Sequence, residues 1–477
     1  MRFIMTSTAA ALLYLLSAAA SFAQPASAQP YADQALQFVQ RGDLKNAEAE
    51  LRKAVALAPE DASLLTSLGG VLGMEGNLRA ANEYLAKAVK LNPKDAAARR
   101  NLAANQWQLG LIKPAQENLD RLLRADPNDK AAIFLSGMVA EKEKDYARSV
   151  KLLESVPDIM ARQPDSWTAL ANGYYHTDQQ EKARRALQHL DGPRSKFLGA
   201  RVAEEAKDFT TAEALLLPVR ATFDDPAALE LEIARIQYRT GRLQASAQTL
   251  MDAIGAHHAT QETFQLLCSL LHAGGDDVRA LQFAGQSVRA YPDSAESLLT
   301  KASLELRLQY YNDAVASYQK ADALQPSPEA ETGLATAHWK TGDRERATST
   351  FEQAMVRFPH DARLCETYGA LLAEEPSAST KARAITLLKR ALALNEAAVE
   401  PRYQLANFAL AEDHPEEARA YLQKAIELNP SDSRLHFALS RVYRRLNLEA
   451  EAARETATYQ KLKSAESGGR KAASVGR

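Results

Sequence analysis

One column of small residues constrains this chain more than any other feature. It runs Ala47, Ala81, Ala115, Ser149, Ala183, Ala212, Ser246, Ala280, Ala314, Ala347, Ala384, Ala418 and Ala452. Nine of its twelve steps are 34 residues, and the others are 29, 33 and 37. A second small column sits twelve residues upstream in nearly every unit, as at Ala35, Gly69, Ala103, Gly137, Cys268 and Gly369. A bulky column lies four residues downstream, with Leu51, Leu85, Leu119, Leu153, Leu187, Tyr318, Phe351 and Leu388 among its members. A length of 477 residues would suit several globular domains, but a fixed short period points instead to stacked supersecondary units.

Offsets of three and four residues put the small and bulky positions on one stripe of a helix. Facing small residues let two antiparallel helices approach at the near end of the ~8–10 Å packing range. Gly-Asp and Gly-Asn, as at Gly42-Asp43 and Gly76-Asn77, supply the turn within a pair, and prolines such as Pro59, Pro93 and Pro127 close it. A pair this small cannot bury its apolar face alone, so pairs stack into a quasi-one-dimensional solenoid. Abundant alanine and 7% aromatic content favour helix throughout.

The unit length, the small-small-bulky pattern and the closing proline resemble the tetratricopeptide repeat. Trp167-Thr168-Ala169-Leu170-Ala171 with Tyr174, Ala183 and Leu187 is the best single match. The resemblance covers residues 28–462 as about thirteen repeats. It implies an all-α, right-handed superhelical solenoid of antiparallel helix pairs, and a scaffold that binds a protein or peptide partner with no cofactor and no enzymatic role. In that family, a second stripe on the first helix of each unit looks into a concave groove. Here the resemblance places Trp107, Tyr175, Tyr238, His272 and Trp339 at equivalent points of that stripe. Asn172, Phe197, Arg201 and Arg235 lie nearby, with Arg239 adjoining. Aromatic and arginine side chains are the types that anchor interfaces, and this set suits an acidic, partly apolar extended segment. The alternative is that the rings pad contacts between neighbouring first helices. The family's full Lys, Asn and Arg clamp for a C-terminal carboxylate is not found.

Arg2 precedes an apolar run from Ala9 to Ala20, followed by Ser21-Phe22-Ala23 and Ala26-Ser27-Ala28. That order is expected of a secretory signal over residues 1–23, cleaved after Ala23 or Ala28, which places the mature chain in a secreted or periplasmic setting. The run is short for a membrane span of ~20 residues, and no similar run recurs. Between about 130 and 260 the closing proline is misplaced. Pro157 and Pro218 fall early in second helices, which predicts a local change of twist or a hinge, or plain drift in a tolerant solenoid. An insertion at Pro376-Ser377-Ala378-Ser379 reads as a longer loop, and residues 463–477 as a disordered polar tail.

A net charge of −2 carries no footprint for nucleic acid. Glycine phosphate loops, metalloprotease motifs, nucleophile elbows and CxxC pairs are absent from the sequence. His257-His258 lacks a third metal ligand, and Cys268 and Cys365 lie three units apart, too far for a disulfide. The expected function is therefore a partner-binding scaffold, or more narrowly an accessory of cell-envelope or exopolysaccharide export. An enzyme or carbohydrate-processing role would be favoured by a buried carboxylate pair or a metal centre.

Overall fold

In the computed structural model, the structure describes residues 27–475 apart from 165 and 376. The expected signal segment, residues 1–23, lies outside the described residues. Among the described residues every regular element is a helix and none is a strand. The chain divides into two compact units, Met1–Gly241 and Arg242–Arg477.

The first unit holds six helix pairs and the first helix of a seventh. Its pairs open with Gln29–Gln40 and Leu44–Leu57, and close with Pro193–Glu205 and Phe209–Leu216, before the single helix Pro226–Arg239. The second unit begins on Leu243–Gly255, continues through pairs such as Gln261–Ala273 with Asp277–Ala290, and ends on Ser433–Arg445 with Glu449–Val475. Within each unit the pairs stack as a helical solenoid.

Packing follows the three columns. Every member of the first small column is at most 1% exposed, including Ser149 and Ser246. The bulky column is equally dry, from Leu85, Leu119, Leu153 and Leu388 at 0% to Tyr318 at 4%. The two helices of a pair meet where the second small column faces the bulky one. A methyl group built on Gly137 would lie 2.8 Å from Leu153, and one on Gly369 would lie 2.9 Å from Leu388. At these two glycines even a Cβ would force the leucine to shift, so the column has room only for small side chains.

Every pair except Ala362–Glu374 with Ala378–Leu394 turns on a residue in the left-handed region. Five positions before the first small column, φ is positive at Gly42, Gly76, Gly110, Gly241, Gly275 and Gly342, and also at Lys144, Asp178, Lys207, Gln309, Asp413 and Asn447. The next residue then donates its N–H back across the turn, as Asp43 does to the Phe38 carbonyl at 2.9 Å and Asp208 to Ala203 at 2.8 Å. This closes the first helix in a Schellman-type cap. Where that next residue is aspartate, its side chain also caps the second helix: Asp43 accepts from the Asn46 N–H and Asp343 from the Arg346 N–H.

The irregular stretch is visible as shortened second helices. Tyr146–Glu154, Gln180–Gln188 and Phe209–Leu216 have 9, 9 and 8 residues, against 14 in Leu44–Leu57. Pro157 begins a separate short helix, Pro157–Met160, and Pro218 sits in a 3-10 turn, Leu217–Val219. Lacking an N–H, proline cannot continue either helix.

One expectation needs correction. The insertion near 376–379 is not simply a longer loop. Ser377 and Thr380 form a reciprocal capping box, and the second helix lengthens to 17 residues, Ala378–Leu394. The last helix runs Glu449–Val475. Cys268 and Cys365 are both free thiols and both buried.

Candidate functional site

The stripe beside the buried columns carries different chemistry in different repeats. Trp107 and Trp339 occupy equivalent places but are only 7% and 4% exposed. Trp107 belongs to the continuous core of the first unit and Trp339 to a core cluster of the second. The Arg344 guanidinium stacks on the Trp339 ring at 4.3 Å and is itself paired with Glu375. These two rings therefore pad contacts inside the stack and offer no area to a ligand. The physical reason is size: an indole at the end of a first helix fills the space that smaller side chains leave open.

In the first unit the remaining candidates form a chain of polar contacts. Asn172 donates to Glu141 at 2.9 Å. The Tyr175 hydroxyl donates to Asp208 at 3.0 Å, where Arg184 also donates at 2.8 Å. Burial raises the Asp208 carboxyl, but hydrogen bonds from Arg184, Thr211 and Tyr175 outweigh it and hold the group below its ordinary range. Burial, followed by the bond to Asp208, pushes the Tyr175 phenol well above its usual value. Tyr175 is thus held in place rather than free to swing. Phe197 stacks on Phe223 with ring centroids 4.7 Å apart.

Arg201, Arg235 and Arg239 come together around two carboxyl groups that sequence reading passed over, Glu204 and Glu232. Arg239 pairs with Glu204 at 3.0 Å and Arg235 with Glu232 at 3.7 Å. Burial, followed by the neighbouring Glu204, pushes Glu232 up to about 7, against the opposing charges of Arg201 and Arg235. Glu204 stands eight residues before its small-column member, as Tyr175 and Tyr238 do. That register was available in the sequence, but a search for aromatic and arginine side chains skips it. Tyr238 remains 50% exposed beside this cluster.

Of the second unit's candidates, His272 is exposed and contacts Asp277 at 2.6 Å, where Arg307 also reaches at 3.5 Å. Among the described residues no group of three or more His, Cys, Asp or Glu side chains could hold a metal ion. No described helix is long and apolar enough to cross a membrane. The Glu204–Glu232 pair is the buried carboxyl pair that an enzymatic reading would look for, yet arginines already engage both members.

A tetratricopeptide repeat family model matches residues 74–134 and 382–442, and a second tetratricopeptide repeat model matches residues 295–328. No curated protein sequence matches the chain. Among solved structures, yeast Tom70 is 16% identical, with 94% of this chain and 96% of that one covered and a TM-score of 0.45. The APC/C hetero-tetramer Cut9-Hcn1 is 14% identical, with 96% and 97% covered and a TM-score of 0.40. The chain thus carries tetratricopeptide repeats in both of its units.

Proposed function

We propose that this chain is a protein-binding scaffold that works outside the cytosol and holds an acidic, extended segment of its partner on the first-helix stripe of the fifth to seventh repeats. The observation that carries this reading is the cluster of Arg201, Arg235 and Arg239 beside the half-exposed ring of Tyr238. Three cations against two carboxylates leave the cluster positive even with both glutamates ionised. Among the described residues Arg201 is in no ion pair, so it is the cation most available to a ligand carboxylate. Tyr238 adds ring area at little entropic cost. The basic start and apolar run of the N-terminal segment support the setting outside the cytosol.

The test uses two labelled peptides, one alternating Asp and Leu and one alternating Lys and Leu, with binding read by fluorescence anisotropy. The acidic peptide should bind and the basic one should not. Added salt should weaken the complex, since exposed charge pairs are screened over ~8–10 Å. Arg201→Glu with Arg235→Glu should abolish binding while the helical circular dichroism spectrum persists. Equal binding of both peptides, or retention by the double variant, would move the binding surface off this stripe.

A further inference from the structure

The position four residues before the second small column is mostly apolar, as at Leu65, Ile133, Trp167, Phe264 and Leu298. Arg99, Glu230, Glu331 and His436 stand there instead as buried polar groups, 8%, 9%, 5% and 6% exposed. A buried charge is costly unless an opposite charge meets it. Glu230 has Arg220 at 2.6 Å, Glu331 has Arg357, and His436 has Glu455 at 2.6 Å. Among the described residues Arg99 has no such partner.

His436 shows what Arg99 lacks. The His436 Nε2 reaches the Pro430 carbonyl, 6 residues back, at 3.0 Å, and its Nδ1 reaches Glu455, 19 residues on, at 2.6 Å. Arg99 makes both contacts at the same offsets: Nη2 donates to the Pro93 carbonyl at 2.6 Å and Nη1 to Asn118 Oδ1 at 3.1 Å. The carboxylate of the last repeat is thus a neutral amide in the third. Asn118 is held in that orientation, because its Nδ2 donates to Gln106 at 2.9 Å. One turn further along the same helix stands Arg121, exposed and likewise in no ion pair among the described residues. The helix Ala96–Gln108 carries no carboxylate, and Asp95 before it caps the Ala97 and Ala98 amides. Asp120 is taken by Gln116 at 2.6 Å and Arg148 at 3.3 Å. Burial, then the charge of Arg121, holds the Arg99 guanidinium below its ordinary value, though it stays protonated.

We propose that Arg99 and Arg121 form a binding site for a phosphate-class dianion on the third repeat, where the ligand supplies the charge that Glu455 supplies to His436. The site goes beyond the capture of an acidic segment and uses none of the arginines of that stripe. Two guanidinium groups with no carboxylate balance two negative charges, whereas a single carboxylate would leave one cation over. A guanidinium has five N–H groups, and Arg99 commits two of them, to Asn118 and Pro93. The remainder suit a tetrahedral oxyanion, whose outward oxygens are left to Arg121 at the surface. The ligand also offsets the burial of an uncompensated charge, so its binding and the stability of the repeat are linked.

The experiment titrates inorganic phosphate into the full chain at constant ionic strength and at a pH above the second pKa of phosphate. Calorimetry reads the binding and amide exchange reads its place. Phosphate should bind in the millimolar range or tighter and slow exchange most in Ala96–Gln108 and Ile112–Ala125, whereas acetate should do neither. Arg121→Gln changes an exposed residue, so it should fold and lose about tenfold in affinity, the scale of one charge-assisted bond. Asn118→Glu supplies the carboxylate found in the last repeat. It should abolish phosphate binding and slow exchange in the same two helices with no ligand present. A phosphoserine peptide that binds more tightly than phosphate would place the dianion on a modified partner, and equal binding would make it a free ion; both results support the site. No phosphate binding by the wild-type chain, equal binding of acetate, or undiminished binding by either variant would overturn it.

Discussion

Gly69 on the first helix of the second repeat faces Leu85 on the second so closely that a Cβ on the glycine would fall 2.6 Å from the leucine Cγ. The next residue, Gly70, has only Asn101 within reach of such a Cβ, at 3.5 Å. Both glycines are buried in the same helix, so backbone propensity treats them alike and packing alone separates them. Gly70→Ala should therefore stabilise the repeat by about 0.5–1 kcal/mol, the usual gain for replacing a helical glycine. In Gly69→Ala, overpacking of about 1–3 kcal/mol should cancel or exceed that gain. Hydrogen exchange of the amides in Ala62–Met74 distinguishes the two, and a shift of the same sign and size in both variants would contradict the register.

The turn residues predict a second difference. Lys144, Lys207 and Gln309 carry positive φ where other repeats have glycine, and a side chain there costs about 1–2 kcal/mol. Lys207→Gly should raise the local stability of its repeat by about 0.5–1 kcal/mol after the extra chain entropy is counted. Asn447→Gly should gain less, because asparagine tolerates the left-handed region. The expected readout is slower amide exchange in Pro193–Glu205, and a loss of protection there would mean that the lysine makes contacts that matter more than its strain.

The fold was legible because it depends on volume at fixed spacing. Alanine or serine at the close contact, leucine or an aromatic ring four residues on, and glycine at many turns are all readable as letters. The turns at Lys144 and Lys207 were not, since the left-handed conformation there is imposed by the closure of the pair and not by residue type. The candidate stripe was only partly legible. Tyr175, Arg235 and Arg239 stand on first helices, but the stripe also takes part in packing, and nothing in the letters separates a tryptophan that fills space from one that faces solvent. The carboxyl pair was missed for a related reason. Glu204 and Glu232 are 28 residues apart in the chain, and only the stacking of consecutive first helices makes them neighbours.

Trp107 turns that ambiguity into a measurement. Its indole is buried and its Nε1 has no hydrogen-bond partner among the described residues. Trp107→Phe removes an unsatisfied donor along with some volume, so its cost should be small beside the about 3–5 kcal/mol expected for Trp107→Ala. Neither change should alter the affinity of a folded chain for an acidic peptide. A binding loss in Trp107→Phe with the melting curve unchanged would return this ring to the ligand stripe.

The carboxyl pair also makes the first unit's stability depend on pH in a direction opposite to that of most surface carboxylates. Glu232 is raised from 4.5 to about 7 in the folded chain. A raised acid contributes stability that is fully present below its unfolded value and is lost as pH rises through the folded one. Between those limits the folded chain keeps a proton that the unfolded chain releases, so the stability of the helices Pro193–Glu205 and Pro226–Arg239 should fall as pH rises from about 5 to about 8, by on the order of 1–3 kcal/mol. Glu232→Gln stays neutral throughout and should lack this slope. Comparing amide exchange of the variant and the wild-type chain at each pH cancels the intrinsic pH dependence of exchange. The variant should match the wild-type chain near the lower limit and be the more protected one near the upper limit. Protection that stays equal at both limits would mean that folding does not raise the Glu232 carboxyl, whatever the stripe binds.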